Sequence, residues 1–241
     1  MLTRSMIDNS IALGVFALIT AALLAGTYLA TRDRIDVAER AMAQRALQEI
    51  IPQERHDNDL LLDTVAVPAH YLSTLGVAAG TEVHVARKNG QPVAVIVPSA
   101  APDGYSGAIH LIIGINVDGT LAGVRVVDHK ETPGLGDKIE LKVSDWILSF
   151  DGRSLENPGP QGWGVRKEGG DFDQFTGATI TPRAIVHQVR RTLQYFAEDR
   201  ERLMQEADRL LQEAERSSQE AERLSQPPQN DSMAHLGEST L

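Results

Sequence analysis

The chain has no cysteine. It can form no disulfide, offer no thiolate to an iron–sulfur cluster and use no thiol nucleophile. The compartment stays open on this ground, because many exported proteins lack disulfides. A concentrated stripe of lysine and arginine is also missing. With 23 basic against 33 acidic residues and a formal net charge of -10, the chain does not carry the clustered basic surface of a nucleic-acid binder. No G-x-G-x-x-G or Walker sequence occurs, which argues against a nicotinamide or nucleoside-triphosphate site. The seven histidines, His56, His70, His84, His110, His129, His187 and His235, show no i, i+4 pair or other ligand spacing, so no metal site is expected. "PDGYSG", Pro102 to Gly107, lacks the last spacing of G-x-S-x-G and precedes a strand, and reads as a turn closed by glycine rather than a hydrolase elbow.

What is present begins with an apolar run. "SIALGVFALITAALLAGTYLA", Ser10 to Ala30, has no charged side chain, and roughly 20 apolar residues is the length a helix needs to cross the hydrocarbon core. A signal peptide is the alternative, but its apolar region is shorter, about 7–15 residues, and this run continues into a helical pattern. A retained anchor over 10–30 is expected, behind a short segment 1–9. Arg4 precedes the run, whereas Arg32, Arg34, Arg40 and Arg45 follow it; the charge rule alone favours a cytoplasmic carboxyl side, although long domains translocate largely regardless of flanking charge. Ile35, Ala38, Met42, Ala46, Leu47 and Ile50 then recur at helical spacing up to Pro52, which predicts a helical stalk over 31–52.

A chain of 241 residues leaves room beyond this for one globular domain of moderate size. "EVHVARKNGQPVAVIV" places two alternating apolar runs around Asn89-Gly90, a strong hairpin signal. "GAIHLIIGINVDGTLAGVRVVDH" adds two strands around Asp118-Gly119. "KVSDWILSF" predicts a helix with Val143, Trp146, Ile147 and Phe150 on one face and Ser144 as N-cap. "TPRAIVHQVRRTLQYFAEDRERL" predicts another, with Ile185, Val189, Leu193 and Phe196 aligned, Thr181 as N-cap and Pro182 at the first helical position. The expected class is α+β, a largely antiparallel sheet covered by helices, occupying 53–196 behind the single transmembrane helix. After it, "QEADRLL", "QEAERSS" and "QEAERLS" repeat with a period of seven. Leu203, Ala207, Leu210, Ala214, Ser217, Ala221 and Leu224 form a seam poor in large side chains, which predicts a solvated, charged helix over 197–225 rather than a strong coiled coil. Disorder is expected over 226–241.

Two loops hold the candidate chemistry. "HKETPGLGDKIE", His129 to Glu140, combines Pro133, Gly134 and Gly136 in a backbone that can lie against a flat ring or a phosphate, or can serve as an ordinary strand-to-helix turn. "GGDFDQFTGATITPRA", Gly169 to Ala184, packs Thr176, Thr179 and Thr181 into six positions before a helix. Thr179 lies where unsatisfied N–H groups and the helix dipole favour a phosphate, and Gly177 and Ala178 keep that approach clear. A merely polar helix cap is the other reading of the same residues.

"TGATIT", "APDGYSGAI" and "ETPGLGDKIELKVSDW" together resemble the G subunit of the Rnf/Rsx ion-translocating electron transport complex, whose FMN-binding domain is related to the C subunit of the sodium-pumping quinone reductase. The resemblance runs from the anchor to about Tyr195; the heptad tail has no counterpart. It implies FMN attached by a phosphoester to the last threonine of an S/T-G-A-T motif, here Thr179, by a dedicated flavin transferase with FAD as donor. It also implies a subunit of a bacterial inner-membrane translocase, single-pass, with the FMN domain on the periplasmic side, against the charge count. Electrons between ferredoxin and NAD would pass through it, coupled to ion movement, in the company of the other subunits and membrane lipid, with no catalytic site for a soluble substrate of its own. On this basis Thr176, Gly177 and Ala178 shape the loop beside Thr179, and Glu131, Thr132, Leu135 and Gly136 are candidates to line the flavin. Membership of the quinone-reductase branch and a non-redox, membrane-tethered scaffold are the alternatives.

Overall fold

The computed structural model describes residues 2–225, apart from the side chains of 2–12, 29–30, 33–40, 42, 222 and 224–225. The tail expected to be disordered, 226–241, lies outside the described residues, as do the side chains at both ends of the apolar run.

The predicted meander is present. Five strands, β1 (Thr64–Ala66), β2 (Glu82–Lys88), β3 (Gln91–Ala101), β4 (Ile109–Asn116) and β5 (Leu121–Asp128), form one sheet in sequence order, each antiparallel to the next. The β2–β3 hairpin turns on Asn89 at φ 52° and Gly90 at φ 75°, the left-handed pair that a two-residue turn of matching twist requires. The fold class is thus α+β with an antiparallel sheet. The short edge strand β1 carries no sequence signal of its own and is held by register against Glu82–His84.

Side chains alternate across the strands, so the sheet has two buried faces. Val83, Val85, Val95, Val97, Ile113, Ile115 and Val124 point into the larger core. There they meet Ile185, Val189, Leu193 and Phe196 of the long helix α3 (Ile180–Ser225). Ala86, Ala94, Ile96 and Ile112 point the other way, against Leu47, Ile50 and Ile51 at the end of helix α1 (Leu2–Gln48). The cross-strand pair Gly114↔Gly123 makes the seat for Ile50. A Cβ at Gly114 would stand 2.1 Å from Ile50 Cγ2, so a side chain there would force Ile50 or the strand to shift. Arg125 adds an Nη2–H bond of 3.3 Å to the Glu49 carbonyl at the helix end.

In the apolar run of α1, every described side chain from 13 to 28 is exposed, Leu18 and Leu13 by 72% and 70%. No helix among the described residues is long and apolar enough to cross a membrane.

Two expectations about helices are corrected. Asp145–Phe150 is a 3₁₀-helix, with Ser144 Oγ accepting the Trp146 N–H at 3.1 Å as the predicted cap. Val143 lies before it and is exposed, because the tighter helix buries only Ile147 and Phe150 fully. The heptad tail is not a separate solvated helix. It continues α3 without a break, and Leu203 and Ala207 are completely buried in the main core. Arg87, 2% exposed, reaches through the same region to Asp63 and to Asp208, each at 2.8 Å. Only from residue 212 to 221 is every side chain exposed.

Candidate functional site

Three segments converge at the start of α3: the turn at 102–107, the loop at 129–136, and residues 175–181. The last is fixed by packing. Phe150 stacks on Phe172 with ring centroids 4.6 Å apart, Trp163 lies 5.3 Å from Phe172, and Trp146 meets Phe175 edge-on at 5.1 Å. Trp146 Nε1–H also donates to the Asp173 carbonyl at 2.8 Å. Few aromatics exist in this chain, and five of them clamp the loop that precedes α3. The chain then turns with the Ala178 N–H on the Phe175 carbonyl at 3.1 Å and Gly177 at φ 84°, the position of a turn that favours glycine.

The second segment is braced from both ends. Both the Leu135 and Gly136 N–H groups donate to the Thr132 carbonyl, at 3.1 and 3.0 Å, which folds Thr132–Gly136 into a tight turn. The Glu131 N–H donates to His129 Nδ1 at 3.0 Å. The imidazole therefore carries its hydrogen on Nε2, which donates to Glu140 Oε1 at 2.8 Å. Lys142 beside Glu140, with His129 as a smaller contribution, holds that carboxyl below the usual range.

Between the segments lies a cavity of about 210 Å³, lined by Tyr105, Glu131, Thr132, Leu135, Gly136, Gly177, Ala178, Thr179, Ile180 and Thr181. It brings together Thr179, Gly177, Ala178, Glu131, Thr132, Leu135 and Gly136 from positions up to 48 apart in sequence (179 − 131). Thr176 is exposed in the preceding turn and does not line it. The missing Cβ of Gly136 is what admits Glu131, whose Cβ and Oε2 would each lie 2.9 Å from such an atom. Around the mouth, Tyr105, Leu135 and Ile180 remain 69%, 45% and 42% exposed.

The three threonines have three different settings, one of them unlike the sequence expectation. α3 begins at Ile180, not after Thr181. Thr179 is the residue before the helix, and its carbonyl accepts the Arg183 N–H at 3.4 Å. Thr181 is no N-cap: it is the second helical residue, completely buried, and its hydroxyl donates to Glu131 Oε2 in a short contact. A buried carboxylate needs that donor more than the helix does, because Pro182 brings no N–H to the first turn. The N–H groups of Ile180 and Thr181 consequently have no carbonyl ahead of them in the helix. Thr179 is half-buried, and among the described residues its hydroxyl has no hydrogen-bond partner.

Sequence reasoning missed Tyr105, Ile180 and the inward role of Thr181. The "APDGYSG" segment carried a signal for the first: the Ser106 N–H donates to Glu131 Oε1 at 2.9 Å, tying that turn to the cavity.

Residues 104–194 match the family described as FMN-binding domain, and residues 1–50 match the family described as RnfG N-terminal region. The chain is 50% identical over 201 residues to the G subunit of the ion-translocating oxidoreductase complex of Pseudomonas aeruginosa (strain UCBPP-PA14), covering 83% of this chain and 93% of that protein. It is 45% identical over 198 residues to the corresponding G subunit of Vibrio atlanticus (strain LGP32), covering 82% and 93%. Among solved structures it is similar to Shewanella oneidensis NqrC, with 25% identity, a TM-score of 0.39, and 57% of this chain and 65% of that chain covered.

Proposed function

As the chain belongs to the G-subunit family of ion-translocating oxidoreductase complexes, we propose that it is the membrane-anchored flavoprotein component of such a complex, carrying FMN in the cavity at the head of α3 as a phosphoester of Thr179. The observation that carries this reading is the Thr179 hydroxyl, unpartnered among the described residues, in the cavity and directly before a helix N-terminus.

The residues fit the group. The open N–H groups of Ile180 and Thr181 and the helix dipole suit a phosphodiester anion. Gly177 and Ala178 offer little obstruction to it; Leu135 Cδ2 is 3.6 Å from where a Gly177 Cβ would stand. Tyr105, Leu135 and Ile180 supply apolar surface for a flat ring, which Thr132 and Gly136 approach from the braced loop. When bound, the flavin supplies one- and two-electron chemistry, while the protein supplies position and electrostatics. Thr179 Oγ would hold the group as a phosphoester; with FAD as donor, AMP would leave, and a flavin transferase would be needed to take the hydroxyl proton, since threonine is too weak a nucleophile to react unaided. Thr176 stays outside the cavity and shapes its entrance.

In this reading the protein relays electrons among the other subunits, in a complex that links ferredoxin and NAD to ion movement, and binds neither soluble substrate itself. The run 10–30 anchors it as a single pass in the inner membrane with the cavity on the periplasmic side. The exposed apolar side chains of residues 13–28 support this, since lipid would cover what no protein surface does.

Two measurements test it. Detergent-purified protein coexpressed with a flavin transferase is expected to show a flavin absorption spectrum that stays with the precipitate after acid denaturation; a colourless precipitate refutes covalent attachment, and a colourless protein refutes the flavoprotein reading. The protein is also expected to stay with membranes at high salt. A reporter active only outside the cytoplasm, fused after Ser225 so that α3 keeps its packed turns, should then be active. Activity of a cytoplasmic reporter at that point would invert the topology.

A further inference from the structure

The Glu131 carboxyl group lines the cavity yet is only 5% exposed. Both of its oxygens accept: Oε1 from the Ser106 N–H at 2.9 Å and Oε2 from the Thr181 hydroxyl. Neither partner is charged, and among the described residues no lysine or arginine pairs with it. With one donor on each oxygen, the group acts as an acceptor at both atoms and its position is fixed. An anion kept in a low-dielectric wall with no counter-ion acts on whatever shares the cavity far more strongly than a surface carboxylate does.

From this we infer that Glu131 is a positioning and tuning residue. Its fixed negative charge lowers the reduction potential of the group bound in the cavity, while its bond to Thr181 withdraws that hydroxyl from the site and leaves Thr179 the one free hydroxyl of the helix start. The inference rests on the FMN reading above. Its sign does not depend on which edge of the ring lies nearest, because adding electrons near a fixed anion is disfavoured from any direction. The same carboxylate ties the turn at 102–107, the loop at 129–136 and α3 together, so the charge is held at one place by three segments.

Glu131→Gln keeps size and bonding: the amide oxygen can take the Ser106 N–H, and the Thr181 hydroxyl can rotate to accept from the amide nitrogen. In the full-length protein loaded with covalent flavin, a spectroelectrochemical titration reads the ratio of reduced to oxidised flavin. At the wild-type midpoint, that ratio should rise on the order of tenfold in Glu131→Gln, as for one unit charge about 10 Å away at an effective dielectric near 20. Glu131→Asp, which keeps the charge, should stay within about twofold of wild type. Gel fluorescence in Glu131→Gln should still depend on Thr179. A loaded Glu131→Gln protein with an unchanged or lowered ratio overturns the inference while leaving the flavin reading intact. So does a Glu131→Gln protein that fails to fold or load while Glu131→Asp does both, since the carboxylate would then be a structural strut. A wild-type protein without flavin overturns both readings.

Discussion

Thr179→Val is expected to eliminate the flavin fluorescence that survives a denaturing gel, when wild-type and variant chains are each coexpressed with a flavin transferase. Valine matches threonine in volume and removes only the hydroxyl, so the loop held by Trp146 and Phe175 stays in place. Thr176→Val should keep the fluorescence, because Thr176 is exposed and outside the cavity. Thr181→Val should keep at least part of it, at a different expense. Its hydroxyl is buried against Glu131, and stranding a buried carboxylate oxygen costs about 1–3 kcal/mol or more. That variant should therefore melt at a lower temperature with the tether still made. A Thr179→Val protein that still fluoresces in the gel places the tether elsewhere and removes the site assignment.

Truncation of α3 should separate two parts of the heptad tail that look alike in sequence. Removing residues 200–241 takes Leu203 and Ala207, both fully buried, out of the main core. Replacing a buried leucine by alanine alone costs about 2–5 kcal/mol, and here the helix backbone that covers the sheet goes as well. Arg87 also loses Asp208 and keeps Asp63. Asp208 is 55% exposed, so its share is the smaller one. Against a typical total stability of about 5–15 kcal/mol, a loss of this size should lower the melting temperature by roughly 10 °C or more and reduce the flavin loaded. Removing residues 212–241 should change neither, because every described side chain from 212 to 221 is exposed. Equal melting of the full chain and the 200–241 deletion would show that Leu203 and Ala207 contribute nothing to the core. The heptad pattern misleads here because Leu203 and Ala207 satisfy a seam and a sheet face equally well. Periodicity says that one side is apolar, not what covers it.

The sequence by itself determined the elements whose causes are local. Asn89-Gly90 specifies its hairpin because a two-residue turn needs two positive φ angles, and tight turns between sequential strands specify an antiparallel sheet; that its second face is covered by the end of α1 was decided only by packing. Ser144 caps the next helical turn through its own side chain. The motif residues around Gly136 and Thr179 were legible through family resemblance, and the glycines through their backbone freedom. Other features were decided only in three dimensions. Val143 is exposed because 3₁₀ geometry replaced the α spacing, and Ile50 finds its seat only where Gly114 and Gly123 come into register from two strands. Thr181 looked like a cap because Pro182 follows it. Its role was set instead by a carboxylate 50 residues earlier, brought to it by the folding of the 129–136 loop onto α3. A hydroxyl bonds to whichever acceptor is left buried and unpaired, and burial is a property of the packed chain, not of any stretch of it.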